Sequence, residues 1–121
     1  MEATASEQTL PIDLNVLEEI AGDDPEFVAD LLDTFVRSTG ELLGPMRASV
    51  MAGDIAAVLR DSHRLKGSSA NVGAEVLRAR SIELERLSRA GTLEGAAGLL
   101  DRIESELERV RVFLSRRQRG L

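Results

Sequence analysis

Apolar residues recur at intervals of three and four along the last part of the chain, at Ala96, Leu100, Ile103, Leu107, Val110 and Leu114. An α-helix repeats every 3.6 residues, so this spacing places one apolar stripe along a single helix face. No segment alternates cleanly between apolar and polar residues, and aromatic residues, which strands favour, make up only 2% of the sequence. The chain is therefore predicted to be all-α.

Cap and turn residues divide the chain into several helices. The sequence GDDPEF starts one of them, with Asp24 as the N-cap and Pro25 in the first turn. Gly22, Gly53 and Gly91 are predicted stops, and Thr92 is the predicted N-cap of the last helix. The predicted helices cover residues 13–21, 25–52, 55–70, 74–90 and 93–117.

The second of these helices contains Gly40, Gly44 and Pro45, which ordinarily interrupt a helix. The residues of the apolar helix face nevertheless continue past these positions at intervals of seven residues. We interpret the segment as one helix kinked near Pro45, because proline removes a backbone donor and crowds the preceding turn. Two separate helices are the alternative.

Helices joined by short turns predict an up-down antiparallel four-helix bundle with a short additional helix at its N-terminus. Residues 12–117 are predicted to form the bundle, residues 1–11 a disordered leader and residues 118–121 a frayed tail. Every apolar stripe can be used within one bundle, so we expect a monomer.

Composition excludes several classes of function. The 121 residues include no cysteine and one histidine, which argues against a disulfide framework and a zinc site, so no bound metal or cofactor is expected. The net charge of −6 argues against nucleic acid as the main partner. Apolar runs are too short to span a membrane, and the acidic N-terminus is unlike a signal peptide, which predicts a cytoplasmic protein.

The single histidine, His63, lies on the predicted third helix, about 120° from the centre of its apolar stripe, and should face solvent. Gly67 lies one turn away, although a glycine within a helix costs about 1 kcal/mol relative to alanine. The neighbours of His63 on the helix surface are small or cationic in five of six cases. They are Ala56, Leu59, Arg60, Lys66, Gly67 and Ala70.

These surroundings suit a phosphoryl carrier. A neutral imidazole nitrogen is a good nucleophile near pH 7, and nearby cations would stabilise the two negative charges of a bound phosphoryl group. A surface histidine is ordinarily only a solvated side chain, but here exposure, cleared space and two cations coincide. Asp61, the acid nearest in sequence, lies on another helix face, which disfavours a catalytic triad.

The stretch HRLKGSSANVGA, residues 63–74, closely resembles the signature of histidine-containing phosphotransfer (Hpt) domains, roughly H-x-x-K-G-[SA]-[SA]-x-x-x-G. The flanking MAGDIAAVLRDSH and LRARSIELERL are also similar to that family, so the resemblance extends over about residues 12–115. It implies a helical bundle that neither binds ATP nor phosphorylates itself. Such domains accept a phosphoryl group from the aspartate of one response-regulator receiver domain, which supplies Mg²⁺, and pass it to another.

The resemblance also implies roles for individual residues. His63 is the implied phospho-acceptor, Lys66 the charge that steadies the phosphoryl group and Gly67 the clearance for the receiver. Glu85 stands where family members often carry a residue that hydrogen-bonds the histidine ring, and a carboxylate there would favour a protonated imidazole. A solvated Glu85 paired with Arg89 is the alternative. The resemblance also implies a place for Arg89 near the phosphohistidine.

The resemblance implies docking through a mostly apolar patch beside the histidine, for which we expect Ile12, Leu17 and Leu59 to contribute. The expected function is that of a phosphorelay intermediate that binds receiver domains and, as an additional partner, a hybrid histidine kinase. The alternatives are the phospho-accepting domain of a larger hybrid or chemotaxis-type kinase and an adaptor that binds receivers without carrying phosphate.

Overall fold

The computed structural model describes residues 10–120, and every regular element within them is a helix. The helices are α1 (Leu14–Ala21), α2 (Pro25–Ala52), α3 (Ile55–Val72), α4 (Glu75–Arg89) and α5 (Ala96–Gln118). The all-α prediction is confirmed. Most of the predicted leader and the last residue of the predicted tail lie outside the described residues.

The four long helices pack as a bundle in which each contacts two others. Helix α2 packs against α3 and α5, and α4 packs against the same two helices. The short helix α1 packs against α2 and α3. The connections between α2 and α3 and between α3 and α4 are two residues long, which turns consecutive helices back on one another. The predicted bundle with a short N-terminal helix is confirmed.

Helix α2 is one continuous helix with Pro45 inside it, so the alternative of two separate helices is wrong. Leu43 and Met46, on either side of the proline, are buried in the same core as Leu32. Burying such a side chain contributes roughly 1.5–3 kcal/mol, which offsets the hydrogen bond that proline removes. As predicted, the Asp24 side chain caps the helix by accepting from the Glu26 and Phe27 N–H groups.

Helix α5 begins later than predicted and has a different N-cap residue. Thr92 does not cap this helix, which begins at Ala96 after Gly95, a residue with φ +88°. The Thr92 hydroxyl instead accepts a hydrogen bond from the Glu94 N–H at 3.1 Å within the preceding turn. Leu93 packs against the core, so this turn is part of the packed structure and delays the helix. All six residues of the predicted α5 stripe are buried.

The short helix α1 also departs from one expectation. Ile12 and Leu17 are 0% and 1% exposed, so neither contributes to a docking surface. Leu17 belongs to the core because α1 packs its apolar side against α2 and α3, and Ile12, just before α1, is buried in the same core. The backbone N–H of Asp13 donates to the Gly73 carbonyl at 2.7 Å and ties the start of α1 to the turn between α3 and α4.

Gly73 allows this close approach, and replacing it should be costly. Its φ is +74°, and a Cβ atom there would lie 2.7 Å from the Asp13 carbonyl oxygen. Gly53 is a matched control, because its φ is +70° but its Cβ would meet nothing within 4 Å. Both alanine variants share the cost of a left-handed residue, about 1–2 kcal/mol. We expect Gly73→Ala to lose about a further 1–3 kcal/mol of unfolding free energy in denaturant titrations, and equal losses would contradict the contact.

Candidate functional site

His63 lies on the outer face of α3, and its side chain is 65% exposed. The opposite face of this helix is buried and includes Val58, Ser62, Leu65 and Ser69. Leu59, which is predicted to contribute to the docking patch, is half-buried. The exposure predicted for the imidazole from helical periodicity is confirmed, because the buried face is set by apolar and small residues at intervals of three and four.

Packing of α3 against α4 brings the carboxylate of Glu85 to the imidazole. Glu85 Oε2 lies 2.7 Å from His63 Nδ1, and Oε1 lies 2.8 Å from Lys66 Nζ. Arg89 donates to the same Oε2 from one turn along α4, at 2.9 Å. Glu85 therefore contacts the ring and Arg89 together. It is only 5% exposed, so the interpretation as a solvated surface residue is wrong.

This carboxylate stays ionised at neutral pH. Hydrogen bonds from Lys66 and His63 lower the pKa of Glu85 from 4.5 to about 2, although burial acts in the opposite direction. An ionised carboxylate can only accept hydrogen bonds, so Nδ1 of the ring is the nitrogen that carries the proton. In the neutral imidazole the lone pair then lies on Nε2, the nitrogen that Glu85 does not contact.

Gly67 leaves open space one turn from the imidazole. A Cβ atom at this position would meet nothing within 4 Å, so no neighbouring helix requires the missing side chain. The predicted clearance is therefore present. Among residues 10–120, no atom lies close enough to Gly67 for packing to require a glycine there. Gly67 and Glu85 also line a groove between α3 and α4 that carries four cationic side chains: Lys66, Arg78, Arg86 and Arg89.

Two of these cations, Arg78 and Arg86, are not among the site residues predicted from the sequence. Arg78, Ile82 and Arg86 are spaced four residues apart and all line the groove. This spacing places them on one face of a helix, so the sequence contains the signal that could have identified them. Arg60, in contrast, is a predicted cationic neighbour of the histidine along α3. Its guanidinium donates to the buried carboxylate of Asp61 at 3.1 Å, so it already has a partner on its own helix.

The described part of the chain contains neither a cluster of candidate metal ligands nor a membrane-spanning helix. Residues 10–120 contain no group of three or more histidine, cysteine, aspartate or glutamate side chains placed to hold a metal ion. None of the helices in that range combines the length and the apolar character needed to cross a bilayer.

Comparison with known proteins agrees with this geometry. The family model of the Hpt domain matches residues 30–113. The phosphorelay intermediate protein rdeA of Dictyostelium discoideum is 31% identical over 107 residues, which is 88% of this chain but only 42% of that protein. The crystal structure of histidine-containing phosphotransfer protein B (HptB) from Pseudomonas aeruginosa PAO1 is similar with a TM-score of 0.81 and 34% identity, over 92% of this chain and 96% of that one. An exposed histidine with a lysine, a glycine and a buried carboxylate beside it is thus found in a bundle that belongs to the Hpt family of phosphotransfer domains.

Proposed function

We propose that the protein is a phosphorelay intermediate in which His63 accepts a phosphoryl group from the aspartate of one receiver domain and passes it to another. The proposal rests mainly on the contact between His63 Nδ1 and Glu85 Oε2 at 2.7 Å. The rest of the His63 side chain is largely exposed. This contact leaves Nε2 as the nucleophilic nitrogen and presents it to a partner.

The transfer step follows from this arrangement. The Nε2 lone pair attacks the phosphorus of the receiver's acyl phosphate, the N–P bond forms, and the P–O bond to the aspartate breaks with its electron pair leaving on the carboxylate. Mg²⁺ would come with the receiver. The second transfer is the same reaction in reverse, with a different receiver carboxylate as the acceptor. Catalysis depends mainly on alignment and charge, because phosphoryl transfer involves little covalent participation by the protein.

Lys66 and Arg89 are the proposed charges that stabilise the transferred group. Both already lie within 3 Å of Glu85, which holds them beside the ring before the partner arrives. The Lys66 side chain is one-third exposed and that of Arg89 is 65% exposed, so either can turn toward a phosphoryl group on Nε2. Lysine serves as a mobile point charge in such a role, whereas arginine can donate two hydrogen bonds to phosphate oxygens.

The α3–α4 groove is the proposed approach for the receiver. Its cations complement the acidic aspartate and phosphoryl group that the partner must bring to His63. Gly67 allows that approach, and the partly buried Ala70 and Ile82 supply small apolar contacts in the same groove. A hybrid histidine kinase can dock in the same way through its own receiver domain.

We propose a monomeric carrier without autokinase activity, rather than a receiver-binding adaptor. The chain spans less than half the length of the rdeA protein that it matches, so activities of other parts of that relative do not transfer to it. A receiver-binding adaptor would need neither a nucleophilic histidine nor a carboxylate hydrogen-bonded to it. In this protein His63 and Glu85 are in direct contact, which favours a carrier.

A single uptake assay separates these functions. The purified protein is incubated with ATP and Mg²⁺ alone, and separately with a phosphorylated receiver domain and Mg²⁺. We expect acid-labile, alkali-stable phosphate on His63 only in the second reaction. Phosphate gained from ATP alone would indicate an autokinase. Receiver binding without phosphate transfer would indicate an adaptor.

A further inference from the structure

The lifetime of a phosphohistidine depends on the proton at the other ring nitrogen. When Nε2 carries the phosphoryl group and Nδ1 keeps its proton, cleavage of the N–P bond releases a neutral imidazole. When Nδ1 has lost its proton, the same cleavage must release an imidazolate anion, which is a far poorer leaving group. Whatever holds the Nδ1 proton therefore controls how readily the phosphoryl group leaves.

Glu85 is suited to hold that proton. Its Oε2 lies 2.7 Å from Nδ1, and as an ionised carboxylate it can accept a hydrogen bond but has none to donate. If Nδ1 lost its proton, its lone pair would point at a lone pair of Oε2 and the two would repel. The repulsion would be strong because the carboxylate is charged, buried and at hydrogen-bond distance. A glutamine in the same place could turn its amide and donate an N–H to a deprotonated ring.

The other charges near the ring do not cancel this effect. Lys66 on α3 and Arg89 on α4 each contact Glu85, and both are drawn toward a phosphoryl group on Nε2. As they turn toward that group, Glu85 loses cationic partners and its attraction for the Nδ1 proton grows. Arg60, another cationic neighbour of the ring along α3, is paired with Asp61. Arg78 and Arg86 line the same groove from α4, and Arg78 pairs with Glu75 at 3.6 Å.

We propose that Glu85 keeps the phosphorylated His63 ring protonated at Nδ1 and so makes the phosphoryl group short-lived and rapidly transferred. This inference rests on the proposed phosphorylation of His63. Glu85 acts here as a positioning residue, because it touches the ring and does not touch the phosphorus. The protein would then be suited to relaying phosphate between receivers and unsuited to storing it.

The test compares the lifetime of the isolated phosphoprotein in the wild type, Glu85→Gln and the control Glu83→Gln. Glu83 lies on the same helix, is exposed and pairs with Arg80, away from the ring. Each protein is phosphorylated by a receiver, separated from it, and followed by loss of acid-labile phosphate at pH 8 and pH 5. We expect Glu85→Gln to retain phosphate several-fold longer than the wild type and Glu83→Gln at pH 8, because only a carboxylate in contact with Nδ1 holds the ring proton without offering a donor of its own.

The pH dependence identifies the cause. At pH 5 the phosphorylated ring is protonated in every variant, so the lifetimes should converge. A longer lifetime of Glu85→Gln that persists at pH 5 would assign the effect to the freed Lys66 and Arg89 and overturn the proposal. Equal lifetimes at pH 8 would overturn it as well.

A measurement on the wild type does not depend on any variant. In ¹⁵N NMR spectra of the phosphorylated protein, Nδ1 of His63 should still be protonated at pH 8, and a deprotonated Nδ1 at that pH would contradict the proposal. If the wild type takes up no phosphate from any receiver, the proposed function itself is wrong. The two failures are therefore distinguishable.

Discussion

Replacing His63 with glutamine is expected to abolish phosphoryl acceptance and to leave the fold almost unchanged. The chain has no other histidine, so no second imidazole can replace the nucleophile. The side chain is 65% exposed and contributes little to packing. Glu85 also keeps Lys66 and Arg89 as partners in the variant, so its buried carboxylate is not left unpaired.

The measurement pairs phosphate uptake from a phosphorylated receiver with a thermal melt of the same preparation. We expect no acid-labile phosphate and a melting temperature within a few degrees of the wild type, as is usual for exposed substitutions. Acid-labile phosphate on the variant would show that the acceptor was assigned to the wrong residue. A large fall in melting temperature would show that the histidine supports the fold.

Replacing Gly67 with glutamine is expected to slow phosphoryl transfer by roughly 100-fold or more while the protein becomes at least as stable. A side chain one turn from His63 would occupy the space through which the receiver's aspartate and metal ion approach. Even about 1 Å of misplacement can reduce a transfer rate on the order of 100-fold. Stability should rise by up to about 1 kcal/mol, because glutamine favours a helix over glycine and a Cβ here meets no neighbour.

Gly98→Gln is the matched control for this variant. Gly98 is exposed, lies within α5 and would also place its Cβ in open space. In the part of the chain that the structure covers, α5 does not pack against α3, so a side chain there should not obstruct the histidine. Transfer rates and thermal melts are measured for both variants. A destabilised Gly67→Gln protein with a normal transfer rate, or equal slowing by both substitutions, would contradict the clearance assigned to Gly67.

Local sequence was sufficient for most of the fold because most of the relevant interactions are local. The stripe from Ala96 to Leu114 and the Asp24 cap depend on helical periodicity and on hydrogen bonds within one turn, and both were predicted correctly. The exposure of His63 followed from the same periodicity. The prediction for Thr92 failed because a turn in which Leu93 packs against the core delays the start of α5, and the residues of the turn alone do not indicate that packing.

The sequence by itself determined the helices, the face on which His63 lies, and the lysine and glycine one turn from it, since spacing along a single helix decides all of these. Only the tertiary structure decided what surrounds the imidazole. Glu85 lies on the next helix, 22 residues away, and the packing of α3 against α4 determines whether it is solvated or buried against the ring. Packing of the N-terminal segment against α2 and α3 buried Ile12 and Leu17, and packing of α3 against α4 brought Arg78 and Arg86 into the groove. These contacts join residues distant in the chain, and their free energies depend on burial and on charges that neighbouring helices contribute.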